Sequence, residues 1–493
     1  MLFNSLEFLI FFPVVTVAYF LLPYRYRTVL LLLASCFFYA AFVPAYLLIL
    51  LFLISVDFWA GGALERAEGK RRFQILLASV LANASMLIFF KYFNFLNDNL
   101  NILARFLDLH LTIPHLDILL PVGLSFHVFQ SVSYTIEVYR KRAPAEKSFL
   151  TFALYVMFYP QLVAGPIERP QRLLPQLHKN YDFDYARVTS GVQLMAWGIF
   201  KKVVIADQLG LVVDSVYADP AHAPGTALVL ATVFFAYQLY CDFSGYTDIA
   251  RGAARVMGIE LMRNFNFPYN ATTVTEFWRR WHISLSSWIR DYIFMPVTVA
   301  LRRRGALGIV GGFLVAFFFV GLWHGASWMF VVFGLLHGVL LSLEYLTAGG
   351  RRRIVVHVPA WVATCCGRIY VFLAWSLSLI FFRSGSFSDA LVFFRHLFSA
   401  KTVADCTIFF AHIFNRSYQE IYLPRGGHRK EYLIIMIGLA LLLVVEGLSR
   451  KWPLRERFNN LPAPMRFVGY SLCCWSIAAG GIFIHRQFIY FTF

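Results

Sequence analysis

The residues best suited to acid–base chemistry in this sequence are two histidines, His282 and His324, each of which directly follows a tryptophan. Because histidine titrates near neutral pH, a positioned imidazole can accept a proton from an attacking hydroxyl group. His324 lies in the mostly apolar run 306–346. An ionisable side chain inside a membrane span is by default a hypothesis for a functional site. The alternative is a histidine hydrogen-bonded to a broken helix end.

The run around His324 is roughly twice the ~20 residues that one membrane-spanning helix requires. It therefore predicts two spans with an interruption near Gly321 to Ser327, so that His324 lies at the interruption among glycines and tryptophans.

The segment that carries His282 opens with Thr273-Val274-Thr275-Glu276, the pattern of a capping box. Aromatic and aliphatic residues then recur every three or four positions: Trp278, Trp281, Leu285, Trp288 and Tyr292. This spacing predicts one amphipathic helix over 273–297, of interfacial or re-entrant type, with His282 bordering its aromatic side. Taken alone, such a histidine is more often a packing residue.

Further candidate residues directly follow an apolar run. On a helix, Asp248 and Arg251 are i, i+3 neighbours that can form an ion pair, whereas Asp242 and Tyr246 share another face. Two carboxylates at this depth suggest the wall of a polar cavity. A helix end capped by Asp242 and Ser244 explains the same residues.

The composition indicates a membrane protein with many spans. Of the 493 residues, 59% are hydrophobic and 14% are charged, with a mean hydropathy of +0.63; soluble proteins have about 25% charged residues. At ~20 residues for each span, the chain has room for about ten or more helices. We predict an all-α polytopic membrane protein with no soluble domain and no cleavable signal.

The net charge of +17 fits basic cytoplasmic loops and gives no argument for a nucleic-acid partner. The seven cysteines show neither Cys-x-x-Cys nor Cys/His ligand spacing, so we predict no disulfide framework and no metal site. Basic clusters on alternate crossings place the amino terminus outside and put both flanks of the His324 run in the cytoplasm. These clusters are 25–27, 65–72, 140–142, 302–304 and 351–353.

Three segments are less regular. A short span over 188–200 is predicted to close at Lys201-Lys202. The stretch 158–170 has three prolines and a glycine, so it is either a re-entrant segment or a plain cytoplasmic loop. Spans are expected near 361–382, 432–446 and 468–484, which would place Arg425 to Lys430 outside, against the positive-inside rule.

Five stretches together resemble the membrane-bound O-acyltransferase family, in the family's order. The resemblance is greatest to its bacterial branch, which acetylates alginate, peptidoglycan and other envelope polysaccharides and to which the teichoic acid D-alanylation protein is related. The stretches are Leu120-Pro-Val-Gly-Leu-Ser-Phe126, Ala164-Gly-Pro-Ile-Glu-Arg169, Asp242-Phe-Ser-Gly-Tyr-Thr-Asp248, Phe277-Trp-Arg-Arg-Trp-His-Ile-Ser-Leu-Ser286 and Trp323-His-Gly325.

The resemblance implies a single membrane domain over 1–493, with the core motifs in 118–347 and further helices in 360–493. It also implies a ring of tilted helices with re-entrant segments around a central tunnel. His324 would be the catalytic histidine and His282 the second active-site residue. The substrate- or donor-binding candidates are Trp323, Asp242, Ser244, Tyr246, Asp248, Trp278, Arg279, Arg280 and Trp281.

The resemblance further implies an acetyl group taken from cytoplasmic acetyl-CoA, with no bound cofactor, and a location in the bacterial inner membrane. Arg279, Arg280 and Lys201 could attract the phosphates of coenzyme A, although each alone is explained by the positive-inside rule. The expected partners are the lipid bilayer and a periplasmic SGNH-type acetyltransferase or polysaccharide assembly protein. Open alternatives are transfer of D-alanyl or another acyl group, a transporter or flippase, and an assembly scaffold.

Overall fold

The computed structural model describes residues 1–109, 113–118, 120–412, 415, 417, 419, 429–483 and 487–489. Within these residues the chain consists of helices and connecting segments, without a β-strand. Seven helices in this part of the chain are long and apolar enough to cross a membrane. The prediction of an all-α polytopic membrane protein is confirmed. The seven are Tyr46–Arg66, Gly69–Phe106, Gly225–Val256, Ala306–His324, Trp328–Leu346, Ala360–Arg383 and Lys430–Ser449.

The chain forms two compact units, which we describe separately. The first unit comprises Met1–Met195, Thr247–Asn264 and Trp323–Ser327, and the second comprises Ala196–Tyr246, Phe265–Leu322 and Trp328–Phe493. The early helices are α1 (Leu6–Leu21), α2 (Tyr24–Ala40), α3 (Tyr46–Arg66), α4 (Gly69–Leu87), α5 (Phe93–Phe106), α6 (Leu124–Tyr139), α7 (Phe149–Met157), α8 (Pro170–Leu177) and α9 (Tyr185–Ile199).

The later helices follow the polar and aromatic motifs. They are α10 (Asp207–Ala218), α11 (Gly225–Val256), α12 (Val274–Arg280), α13 (Ile283–Ile289), α14 (Met295–Ala300), α15 (Ala306–His324), α16 (Trp328–Leu346), α17 (Ala348–Val355), α18 (Ala360–Arg383), α19 (Phe387–Leu397), α20 (Ala400–Ala411), α21 (Arg429–Ser449), α22 (Leu454–Asn459) and α23 (Ala463–Gly480). The spans expected near 361–382 and 432–446 fall within α18 and α21, whereas α23 covers only part of the span expected near 468–484 and is not among the seven candidate spans. Residues 425–428 of the expected outer basic stretch lie outside the described residues.

π-helical turns join consecutive helices into longer segments. In the segment 69–106, the π-helical turn Ile88–Tyr92 joins α4 to α5. The span predicted to close at Lys201-Lys202 instead continues through a second π-helical turn, Phe200–Ala206, into α10. Lysines end a span only when their charges reach water, and these two lysines are buried.

The irregular stretch is non-helical over 158–169, as its prolines predict, and nearly all of it is buried within the first unit. Tyr155 in α7 donates a hydrogen bond to the carbonyl of Glu168, and the side-chain amide of Gln161 donates to that of Gln130 in α6, at 3.4 Å. Protein therefore surrounds this irregular backbone, and its polar groups find partners inside the first unit.

In the second unit, α15 and α16 form a tightly packed hairpin. A β-carbon at Gly334 would lie 2.2 Å from the carbonyl oxygen of Phe317, and one at Gly321 would lie 2.4 Å from that of Phe330. Small residues allow membrane helices to approach closely, because lipid supplies no hydrophobic force between them. The two glycines therefore set the separation of the helices on either side of the interruption.

In the first unit, a buried polar cluster joins three helices. Asp57 in α3 is fully buried and accepts hydrogen bonds from Ser79 and Asn83 in α4, at 2.5 Å and 2.9 Å, and from Thr135 in α6, at 3.2 Å. Polar side chains inside a membrane bundle satisfy one another in this way.

Replacing Asp57 with Ala should reduce the free energy of unfolding in detergent by about 2 kcal/mol, because three interhelical donors lose their acceptor. Thermal unfolding of the purified protein measures this change. Asp117→Ala, at an exposed position, is the matched control and should leave the midpoint unchanged. Equal midpoints for Asp57→Ala and the wild type would contradict a stabilising role of the cluster.

Candidate active site

His324 is the last residue of α15, and the helical structure resumes at Trp328. The predicted interruption of the apolar run is therefore confirmed and falls at residues 325–327. The His324 side chain belongs to the first unit and is 6% exposed. His324 is thus a buried ionisable residue at the end of a candidate membrane span.

The backbone around His324 is held by residues of the first unit. The Trp323 ring stacks on Phe129 and meets Phe126 edge-on in α6, at centroid distances of 6.2 Å and 5.2 Å. The ammonium group of Lys91 donates hydrogen bonds to the carbonyl oxygens of Trp323, at 2.6 Å, and His324, at 3.4 Å. Sequence reasoning missed Lys91, although the rule applied to His324, an ionisable residue within an apolar run, would have found it.

The single amphipathic helix predicted over 273–297 is wrong. Helix α12 ends at Arg280, and α13 begins at Ile283 and continues through the π-helical turn Arg290–Phe294 into α14. Between α12 and α13, His282 has a left-handed backbone with φ 41°. This conformation turns the chain out of the α12 axis, and such strain in a non-glycine residue often accompanies function. Heptad-like spacing did not reveal the break, because the aromatic stripe continues across it.

His282 is fully buried in the second unit. Its ring meets the edge of Phe243 on α11 at a centroid distance of 4.6 Å. Within the second unit, a residue of the Asp242 motif therefore packs against a residue of the Phe277 motif.

Helix α12, which leads into His282, is fixed at its amino end by two devices. The Thr273 hydroxyl accepts a hydrogen bond from the amide of Glu276, as a capping box predicts, but the Glu276 carboxylate accepts from the amide of Thr272. The carboxylate of Glu344 on α16, which is buried, accepts from the amides of Val274 and Thr275 at 2.6 Å and 3.0 Å. A carboxylate at this end also complements the helix dipole.

The tryptophans of this motif form part of an aromatic core in the second unit. Trp281 is 1% exposed and packs against Trp375 at 4.6 Å and Phe277 at 5.6 Å between ring centroids. The Trp278 indole N–H donates to Nδ1 of His337, at 3.4 Å. Both tryptophans therefore support the position of His282 through packing.

The three basic residues expected near coenzyme A differ in their surroundings. Arg279 is exposed. Arg280 forms an ion pair with Glu276 at 2.7 Å and donates to the carbonyl of Asn266. Lys201 is buried and donates to the hydroxyl of Ser244 at 2.9 Å. Of these side chains, only Arg279 has the exposure that a contact with a soluble phosphate needs.

Helix α11 continues to Val256, so the alternative of a helix end capped by Asp242 and Ser244 is wrong. Asp242 is buried and forms an ion pair with Lys202 at 2.6 Å; Lys202 also pairs with Asp207 at 2.8 Å. Tyr246, also buried, meets the Phe488 ring edge-on at 4.7 Å. Paired in this way, the charges can remain buried.

The remaining polar residues lie in the first unit. Asp248 and Arg251 form the predicted i, i+3 pair, at 3.5 Å. Glu168, outside the candidate spans, is fully buried. Burial raises the pKa of its carboxyl group to about 7, although the hydrogen bond from the amide of Met262 and the charge of Arg172 both lower that pKa. Among the described residues, no group of three or more His, Cys, Asp or Glu side chains is placed to hold a metal ion.

Known proteins share these features of the sequence. Residues 131–383 match the model of the MBOAT, membrane-bound O-acyltransferase, family. The chain is 36% identical to the probable alginate O-acetylase AlgI of Azotobacter vinelandii, over 81% of this chain and 78% of that protein. It belongs to the membrane-bound O-acyltransferase family.

Two further relatives extend the comparison. The peptidoglycan O-acetyltransferase of Helicobacter pylori is 32% identical over 79% of this chain and 78% of its own length. The teichoic acid D-alanyltransferase of Bacillus subtilis is 29% identical over 45% of this chain and 58% of its own length. The resemblance drawn from five motifs is thus confirmed, and this membrane-bound O-acyltransferase is an enzyme with many membrane crossings.

Replacing Glu344 with Ala should lower the free energy of unfolding by about 1–2 kcal/mol, because two amides at the start of α12 lose their acceptor. Thermal unfolding in detergent measures the loss. Glu68→Ala removes an exposed glutamate beside the start of α4 and serves as the control. If both variants unfold at the wild-type temperature, Glu344 does not stabilise α12.

Proposed function

We propose that this enzyme takes an acetyl group from cytoplasmic acetyl-CoA and passes it across the bacterial inner membrane to a hydroxyl group of an envelope or exported polysaccharide. A periplasmic SGNH-type transferase or a polysaccharide assembly partner would receive the acetyl group and place it on the polysaccharide. The whole chain, 1–493, would act as one acyltransferase domain.

The main support for this proposal is the share of this chain that each kind of relative matches. The alginate and peptidoglycan O-acetyltransferases match 81% and 79% of it, whereas the teichoic acid D-alanyltransferase matches 45%. This difference supports acetyl transfer over D-alanyl transfer. Membership of an acyltransferase family argues against the transporter, flippase and scaffold alternatives.

In the mechanism we propose, His324 is the general base. Its imidazole takes the proton of the acceptor hydroxyl group as the oxygen attacks the thioester carbonyl carbon. A carbon–oxygen bond forms, the carbon–sulfur bond breaks, and the coenzyme A thiolate receives the proton from the imidazolium. His282 would donate its N–H to the carbonyl oxygen and stabilise the developing oxyanion.

The other candidate residues would have supporting roles. Exposed Arg279 is suited to attract the phosphates of the donor. Trp278 and Trp281 would hold the His282 turn, and Trp323 would hold the His324 turn. The paired or hydrogen-bonded polar residues of α11, namely Asp242, Ser244, Tyr246 and Asp248, would shape the polar wall beside the substrates.

His324→Ala should lower acetyl transfer by roughly 10²–10⁴-fold, the usual contribution of a positioned general base. His282→Ala should lower it as well, through the loss of one oxyanion donor. The measurement is release of free coenzyme A thiol and acceptor acetylation by the protein in lipid nanodiscs supplied with radiolabelled acetyl-CoA. D-alanyl carrier protein thioester, offered in place of acetyl-CoA, distinguishes the two donors.

His222→Ala is the matched control, because the His222 side chain is 85% exposed and pairs with Asp219 at the surface. It should retain wild-type turnover. Full acetylation by a well-folded His324→Ala variant would overturn the role of His324, and turnover of the D-alanyl donor alone would overturn acetyl transfer.

A further inference from the structure

Lys91 is an intramembrane lysine that no part of the acyl-transfer mechanism yet uses. It lies in the π-helical turn Ile88–Tyr92 of the 38-residue apolar segment 69–106. A lysine inside a membrane helix is energetically costly unless it is compensated. Such a residue is retained where it has polar partners inside the protein.

The partners of Lys91 are the carbonyl oxygens of Trp323 and His324, at 2.6 Å and 3.4 Å. These two residues end α15, and the last carbonyls of a helix have no intrahelical donor. The carboxyl end of a helix also carries a partial negative charge, which a cation stabilises most where water is excluded. The ammonium group thus satisfies the backbone of the histidine motif.

Lys91, Asn94 and Asn97 form a polar stripe along this helical segment. Like Lys91, the two asparagines donate hydrogen bonds to backbone carbonyl groups. Asn94 donates to the carbonyl of Leu116 at 2.8 Å, and Asn97 donates to those of Ile113 and Pro114. The asparagines hold the 113–116 segment, whereas Lys91, three residues before Asn94, reaches the His324 turn. Lys91 is the cation of this series, and its target is the carboxyl end of a helix, which carries a partial negative charge.

The direction of the Lys91 side chain toward the end of α15 is influenced by the π-helical turn in which it lies. A π-turn adds one residue to a helical turn and rotates the following residues relative to a regular α-helix, and such turns are often found at functional sites. The same turn joins α4, which binds Asp57 through Ser79 and Asn83, to α5, which holds the 113–116 segment.

We propose that Lys91 is a positioning residue for His324. Its ammonium ion fixes the carboxyl end of α15 from one side, while Phe126 and Phe129 hold the Trp323 ring. Together these contacts set the direction of the His324 imidazole. The inference rests on the proposed role of His324 as general base.

Lys91→Met keeps the length and apolar stem of the side chain and removes the charge. It should lower kcat about 10²-fold, the scale of a 1 Å misplacement of a catalytic group, while KM for acetyl-CoA stays within about twofold. Lys91→Arg keeps a cation and should recover most of kcat. Asn97→Ala, on the same stripe, is the matched control and should leave kcat near the wild-type value, even if the protein unfolds at a lower temperature.

All variants are compared in nanodiscs, with thermal unfolding measured alongside. Combining Lys91→Met with His324→Ala should give the same rate as His324→Ala alone, because the two residues act as one unit. Equal losses in Lys91→Met and Asn97→Ala, or no recovery with arginine, would overturn positioning by the charge. Wild-type kcat in Lys91→Met with an inactive His324→Ala would overturn this inference alone, whereas an active His324→Ala would overturn the proposed function.

Discussion

The constraint on which this structure depends is that backbone and polar side chains inside a bilayer must find their hydrogen-bond partners within the protein. The buried non-helical stretch 158–169 meets it through hydrogen bonds with α6 and α7. The polar stripe of α5 meets it for the segment 113–116. At the carboxyl end of α15 the same need is met by the ammonium group of Lys91. The irregular backbone of this protein is therefore bound by particular polar residues on its helices.

The two histidines are held in different ways. The helix that carries His324 ends there, and its last carbonyls bind a cation, so His324 is placed by a helix terminus. His282 lies in a left-handed turn between two short helices whose surroundings are largely aromatic. A strained backbone persists only where its surroundings over-determine it, and the packing of Trp281 and the Glu344 cap of α12 provide that support.

Buried charges follow the same logic in the second unit. Lys202 between Asp207 and Asp242 forms a compact ion cluster, and Lys201 binds Ser244. Such groups remain charged inside a protein only when they are paired, so this part of the α11 motif first serves to keep its own charges stable. Several polar residues of the motifs shared with known acyltransferases therefore have partners within the protein.

The sequence by itself determined that this is a membrane protein and where most of its helices lie, because hydropathy and prolines act locally along the chain. It also determined the interruption near His324, and the order of five motifs indicated the family. It also predicted the Asp248–Arg251 pair, which depends only on helical spacing. It did not predict the π-helical turns, the break at His282 or the burial of Lys201 and Lys202. Those features were decided by tertiary structure, because a lysine or a left-handed residue is stable at such a position only when distant segments supply its partners.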